Sequence, residues 1–142
     1  MDAPLKGMTI LLVEDAADTR EVFGRLLEAD GADVISAGSA REAAEIAATR
    51  EFDVLLTDLG LPDIPGDALI GKILRECRRR PRVVAVTGFD EPYGTRALRA
   101  GADVVITKPV AWSRLLESLT ASETAESPPD AAAASRATRI AA

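Results

Sequence analysis

Five places in this chain hold residues that could share one piece of chemistry. Glu14 and Asp15 form an acidic pair, Asp58 stands alone farther on, Thr87 offers a hydroxyl and Lys108 an amine. Carboxylates suit hard, oxygen-preferring cations, Mg2+ above all. A carboxylate can also act as a nucleophile and take a phosphoryl group as an acyl phosphate. An ammonium and a hydroxyl are the natural partners of the phosphoryl oxygens. On this reading Asp58 is the nucleophile, and Glu14 and Asp15 are the metal partners. Magnesium keeps several waters, so one or two direct carboxylates suffice. Asp15 and Asp58 are the candidates for direct ligands, with Glu14 acting partly through water. Lys108 and Thr87 serve the phosphoryl group. Taken singly, each residue has a plainer role: a turn aspartate, a solvated pair favouring a helix N-terminus, a strand threonine, a surface lysine. Only their convergence makes a site.

The elements around them predict that convergence. Each residue ends a short apolar run: Ile10–Val13 before Glu14-Asp15, Val54–Leu56 before Thr57-Asp58, Val83–Val86 before Thr87, and Val104–Ile106 before Thr107-Lys108. Such β-branched runs fit strands buried on both faces. The strands are predicted over Thr9–Val13, Asp33–Ala37 (weaker), Phe52–Asp58, Val83–Thr87 and Val104–Thr107. Helical patterns separate them. Asp18–Asp30 carries Val22, Phe23, Leu26 and Leu27 on one face, with Gly31 just past its end. Ser39 and Glu42 form a capping box for a helix to about Arg50. Asp67 is a plausible cap for a helix holding Leu69, Ile70, Ile73, Leu74 and Cys77. Further helices are predicted from about Glu91 to Ala100, ended by Gly101, and from about Ala111 to Thr120. Five strand–helix alternations mean an α/β layered sandwich. In an open parallel sheet the residues just past the strand ends line one edge, where ligands bind.

Bulk properties narrow the function. A chain of 142 residues suggests one domain. Residues 1–8 read as a mobile lead-in, 9–120 as the domain, and 121–142 as a flexible tail rich in Ala, Pro and Ser. No apolar run approaches the roughly 20 residues of a membrane span, and the start lacks a secretory signal. Cys77 is the one cysteine, which points to a reducing cytoplasm. The absence of histidine excludes a phosphohistidine donor or a His-ligated metal within the chain. A net charge of −6 argues against nucleic-acid binding. The arginines at 78, 79, 80 and 82 are read as a solvated turn.

The acidic pair Glu14-Asp15, the lone Asp58, Leu61-Pro62 and Gly66 after it, Thr87-Gly88 and Lys108-Pro109 resemble, in this order and at strand ends, the receiver domain of bacterial two-component response regulators. The resemblance covers about Met8 to Thr120. It implies a doubly wound, flavodoxin-like three-layer sandwich with five parallel strands in the order 2-1-3-4-5. It implies phosphorylation of Asp58 by a histidine kinase or histidine phosphotransfer protein, with Mg2+ required. Output would be through a downstream protein target, without nucleic acid or membrane. It adds the backbone carbonyl of Gly60 to the metal ligands and a cis Lys108–Pro109 bond that aims the lysine inward. It implies that Thr87 moves toward the phosphoryl group. Such a domain is not an enzyme in the turnover sense; it catalyses only its own phosphorylation and autodephosphorylation.

Two positions depart from the family. The aromatic residue usual three places before the lysine is Val105 here, which puts the usual switch in doubt. Phe89 and Tyr93 lie nearby and could substitute, although packing is the plainer role for both. Gly60 also presents no side chain beside the site. Other functions fit less well. A haloacid-dehalogenase-like phosphohydrolase needs an aspartate where Gly60 stands, and a nucleotide or flavin site would be repelled by the Glu14-Asp15 loop. A receiver-like scaffold that works unphosphorylated would not need all five site residues.

Overall fold

The computed structural model describes residues 3–61, 63–88 and 93–120. The chain alternates β1 (Thr9–Val13), α1 (Ala17–Ala29), β2 (Asp33–Ala37), α2 (Ala40–Thr49), β3 (Val54–Asp58), α3 (Gly66–Glu76), β4 (Arg82–Thr87), α4 (Tyr93–Ala100), β5 (Val104–Thr107) and α5 (Trp112–Thr120). The strands form one parallel sheet in the order β2-β1-β3-β4-β5. This is the expected flavodoxin-like topology.

Strand side chains alternate between two cores, as the pleat demands. Leu11, Val13, Leu55, Val83, Ala85 and Val105 join the helix residues Ala43, Ala47, Leu69, Ile73 and Ala97. Ile10, Leu12, Val54, Leu56, Val84 and Ile106 join Leu27, Leu115 and Leu119. Helices α2, α3 and α4 therefore cover one face, and α1 and α5 the other. The alanine face of α2 packs close, as its sequence predicts.

Local signals explain most boundaries. Ser39 Oγ accepts from the Glu42 amide at 3.1 Å, as a capping box requires, and Glu42 Oε1 reaches back one residue beyond the cap to the Gly38 amide at 2.9 Å. Gly101 closes α4 at φ +124°, a backbone conformation that residues with a side chain rarely adopt.

Several expectations need correction. Asp67 is not a cap: α3 starts at Gly66 behind Pro65, and Asp67 sits in the first turn. There it still favours the helix dipole, and it pairs with Arg96 at 3.3 Å. β3 starts at Val54 rather than Phe52; Asp53, just before it, donates its amide to the Thr9 carbonyl at 2.8 Å and accepts the Thr9 amide through Oδ2, also at 2.8 Å. The predicted lead-in is anchored at Leu5, although Lys6 and Gly7 after it are exposed. Leu5 is fully buried, and its amide donates to the Asp30 carbonyl at 2.8 Å. The basic turn is solvent-exposed at Arg78, Arg79 and Arg80, as expected, and its arginines also make fold contacts. Arg79 meets Asp53 at 3.1 Å and Arg80 meets Asp103 at 3.0 Å. Arg80 also donates to the Gly101 carbonyl just past α4, and Arg82 Nε to the Ser118 carbonyl in the last described turn of α5 at 2.7 Å. Glu91 and Pro92, predicted to open α4, lie outside the described residues.

Candidate functional site

Parallel register brings the strand ends together. Val13 pairs with Thr57, Asp58 with Val86 and Thr87 with Thr107, so the residues that follow emerge at one edge. Three backbone bonds fix the exits: Glu14 N–H to Ala37 O at 3.1 Å, Leu59 N–H to Val86 O at 2.9 Å, and Lys108 N–H to Thr87 O at 2.8 Å.

Asp58 lies at the centre. Its Oδ1 accepts from the Gly60 amide at 2.8 Å, and its Oδ2 accepts from Lys108 Nζ, also at 2.8 Å. The side chain of Asp58 is 10% exposed, whereas that of Lys108 is 40% exposed and reaches the site from the rim. Glu14, Asp15 and Asp58 each offer an oxygen, and these three oxygens lie within 4.8 Å of one another. The acidic pair is asymmetric. Glu14 is buried and holds the Ala16 amide through Oε2 at 3.1 Å, while Asp15 is exposed.

Electrostatics follow from this packing. Burial raises the Glu14 pKa above its ordinary 4.5; the Ala16 amide pulls the other way, and the charge of Asp58 pushes it up again. Burial works against the charge on Lys108, but the hydrogen bond and charge of Asp58, then Glu14 and Asp15, outweigh it and raise the pKa above 10.5.

The other predicted residues sit around this core. Thr87 ends β4 almost wholly buried. Gly88 is exposed, and a methyl there would meet Lys108 Cδ only at 3.9 Å, an ordinary contact. The Lys108–Pro109 peptide is cis. Gly60 contributes its amide to Asp58 and leaves the space beside it without a side chain. Val105 is buried among the aliphatic residues under α2, α3 and α4. Phe89 lies outside the described residues, as does the side chain of Tyr93.

Two neighbours were missed by sequence reasoning. Arg20 Nη1 donates to the Glu14 carbonyl at 2.8 Å, and Gly38 makes room for the guanidinium: a methyl on Gly38 would lie 2.9 Å from Nη1. Asp63 bridges the Ala40 and Arg41 amides at 3.1 and 2.9 Å. Neither has a local signature, because an arginine within a helix and an aspartate in a turn read as solvated in sequence.

The acidic cluster, the lysine and the sheet edge can be set beside known proteins. The family described as the response regulator receiver domain matches residues 10–120. A cyclic di-GMP phosphodiesterase of Thermotoga maritima is 37% identical over 106 residues, which is 72% of this chain but 27% of that protein. This chain thus spans about a quarter of that relative. The polar-differentiation response regulator DivK of Brucella ovis is 31% identical over 115 residues, covering 78% of this chain and 92% of its own. Among solved structures, a CheY-like response regulator receiver domain protein from Methanospirillum hungatei superposes with a TM-score of 0.73 at 32% identity, covering 78% of this chain and 88% of the other.

Proposed function

The chain belongs to the response regulator receiver domain family, and from that premise we propose that Asp58 accepts a phosphoryl group from a partner histidine kinase or histidine phosphotransfer protein. One observation carries the reading. Asp58 lies under a lysine ammonium at 2.8 Å and within 4.8 Å of two other acidic oxygens, in a crevice that sequence-distant strands build.

The donor set fits magnesium. Three carboxylates, two of them buried, place more negative charge at one edge than a single lysine balances. Hard oxygen ligands in an open crevice match Mg2+, which tolerates retained waters. Asp15 and Asp58 would ligate directly, Glu14 partly through water, and the Gly60 carbonyl would complete the protein ligands. When bound, the ion neutralises charge on the transferring group.

The chain's own residues do the rest. A carboxylate oxygen of Asp58 forms the new P–O bond as the donor's P–N bond breaks, and the leaving imidazole takes a proton from solvent. The Gly60 amide orients the nucleophile. Lys108 transfers its contact from the carboxylate to the phosphoryl oxygens, and Thr87 donates its hydroxyl to another. Hydrolysis of the acyl phosphate returns Asp58 to its carboxylate. The domain thus loads and clears itself and turns over no small substrate. Phosphorylation shifts a pre-existing conformational equilibrium, and the output is a contact with a downstream protein in the cytoplasm. Among the described residues no helix is long and apolar enough to cross a membrane.

The test is incubation with Mg2+ and acetyl phosphate, read by intact mass. The expected result is a gain of one phosphate that disappears in Asp58→Asn. An unchanged mass, or a gain that survives that substitution, overturns the reading.

A further inference from the structure

The loop between β3 and α3 begins at the proposed nucleophile and is tied to a different part of the chain. Asp63 Oδ1 accepts from the Ala40 amide at 3.1 Å, and Oδ2 accepts from the Arg41 amide at 2.9 Å. These amides open α2, where backbone donors lack intrahelical partners and the helix dipole favours negative charge. The two bonds hold the carboxyl of Asp63 below the usual range, the Arg41 bond foremost. The helix already has its own cap in Ser39 and its box partner in Glu42. Ser39 serves the Glu42 amide and Glu42 the Gly38 amide, so Asp63 takes the Ala40 and Arg41 donors that those two do not reach, and in doing so it joins the loop to the helix.

The same loop carries Gly60, whose amide donates to Asp58 Oδ1. Leu59 and Leu61 anchor the near half of the loop in the core, and Ile64 packs against that core from the far half. Gly60, between the two leucines, is exposed and has no side chain to hold it. Beyond the buried Leu61, the loop is tied down again at Asp63 and Ile64. We propose that Asp63 is a positioning residue for the phosphoryl-accepting site: by bridging the first amides of α2, it fixes the loop that presents the Gly60 amide to Asp58. The phosphorylation part of this inference rests on the function proposed above; the loop-fixing part does not.

Three variants of the full chain test it: Asp63→Ala, Asp63→Asn, which keeps one acceptor oxygen, and Ser39→Ala, which weakens the same helix end without touching the loop. Amide exchange is followed by NMR in the unphosphorylated protein, and phosphate gain from acetyl phosphate by intact mass. In Asp63→Ala, exchange at Ala40, Arg41 and Gly60 should accelerate by about fivefold or more, the scale of a lost capping carboxylate. Phosphate gain should slow severalfold, with Asp63→Asn falling between it and the parent. Ser39→Ala should speed exchange at Glu42 and leave Gly60 and the phosphorylation rate as they were. The inference is overturned if Gly60 exchange and phosphorylation stay unchanged while Ala40 and Arg41 open, because Asp63 is then only a helix cap. Equal effects of Ser39→Ala and Asp63→Ala on Gly60 overturn it as well. If Asp63→Ala does not fold, the same comparison is made with Asp63→Asn. If the parent gains no phosphate, the proposed function fails, and Gly60 exchange alone decides the role of Asp63.

Discussion

Lys108 Nζ lies 2.8 Å from Asp58 Oδ2, although 50 residues of chain separate the two. With the lysine side chain 40% exposed, this pair adds little to stability, about 0–1 kcal/mol. Its value lies in chemistry: a positive charge already stands where negative charge would accumulate.

Lys108→Met should therefore slow phosphate gain by about a hundredfold, the scale of losing one oriented charge-stabilising donor. The thermal midpoint should fall too, because the substitution leaves the buried carboxylates of Asp58 and Glu14 without their positive partner. The raised Lys108 pKa adds a pH statement. The ammonium's contribution is fully present below the ordinary lysine value of 10.5 and is lost only as pH rises through the higher folded value. Phosphorylation around neutral pH should therefore show no lysine titration. Rates from intact-mass time courses in the two proteins check both points.

Glu14 carries a dependence of the same sign, but in the acid range. Its raised pKa means that the folded, metal-free protein holds a proton there more tightly than the unfolded chain does. Stability should fall as pH rises from about the ordinary 4.5 through the folded value and stay lower above it. Glu14→Gln removes this dependence. It should melt above the parent at neutral pH without metal and lose that advantage in acid. Denaturant titrations across pH, in chelator, test it; a variant less stable than the parent at neutral pH would show that burial of this carboxylate carries no cost.

Magnesium should raise the thermal midpoint of the parent. A ligand at a hundred times its Kd stabilises by about 2.7 kcal/mol. Asp15→Ala should lose most of this gain while leaving the metal-free midpoint nearly unchanged, because Asp15 is exposed. Differential scanning fluorimetry with and without Mg2+ reads both effects. A full Mg2+ shift in Asp15→Ala would remove that residue from the ligand set.

Leu5 should behave as a core residue. Leu5→Ala should cost about 2–5 kcal/mol, because a fully buried leucine leaves a cavity. Lys6→Ala, at an exposed neighbour, should stay within about 0.5 kcal/mol. Urea unfolding of the two variants separates a packed segment from a mobile one.

The residues that end the strands were legible in sequence because parallel topology turns a local feature into a spatial one. An apolar run predicts a strand, alternation with helices predicts a parallel sheet, and the sheet then gathers every strand end at one edge. That chain of reasoning places Glu14, Asp15, Asp58, Thr87 and Lys108 without any knowledge of packing. The capping box at Ser39 was legible for a similar reason, since its partners lie three residues apart.

What escaped was polar and non-local. Asp53, Asp63, Arg20, Arg80 and Arg82 each bond a backbone group that only the fold brings near. In sequence they look like any solvated charge, because no periodicity records which helix end or loop faces them. The asymmetry of Glu14 and Asp15 belongs here too. Adjacent residues with the same charge differ in burial because Glu14 still bonds to β2 through its backbone while Asp15 has left the sheet edge. The chain's pattern of apolar runs thus determined its topology and the membership of the candidate site. Tertiary packing alone decided which of those groups are desolvated, which are paired, and which distant loops hold them in place.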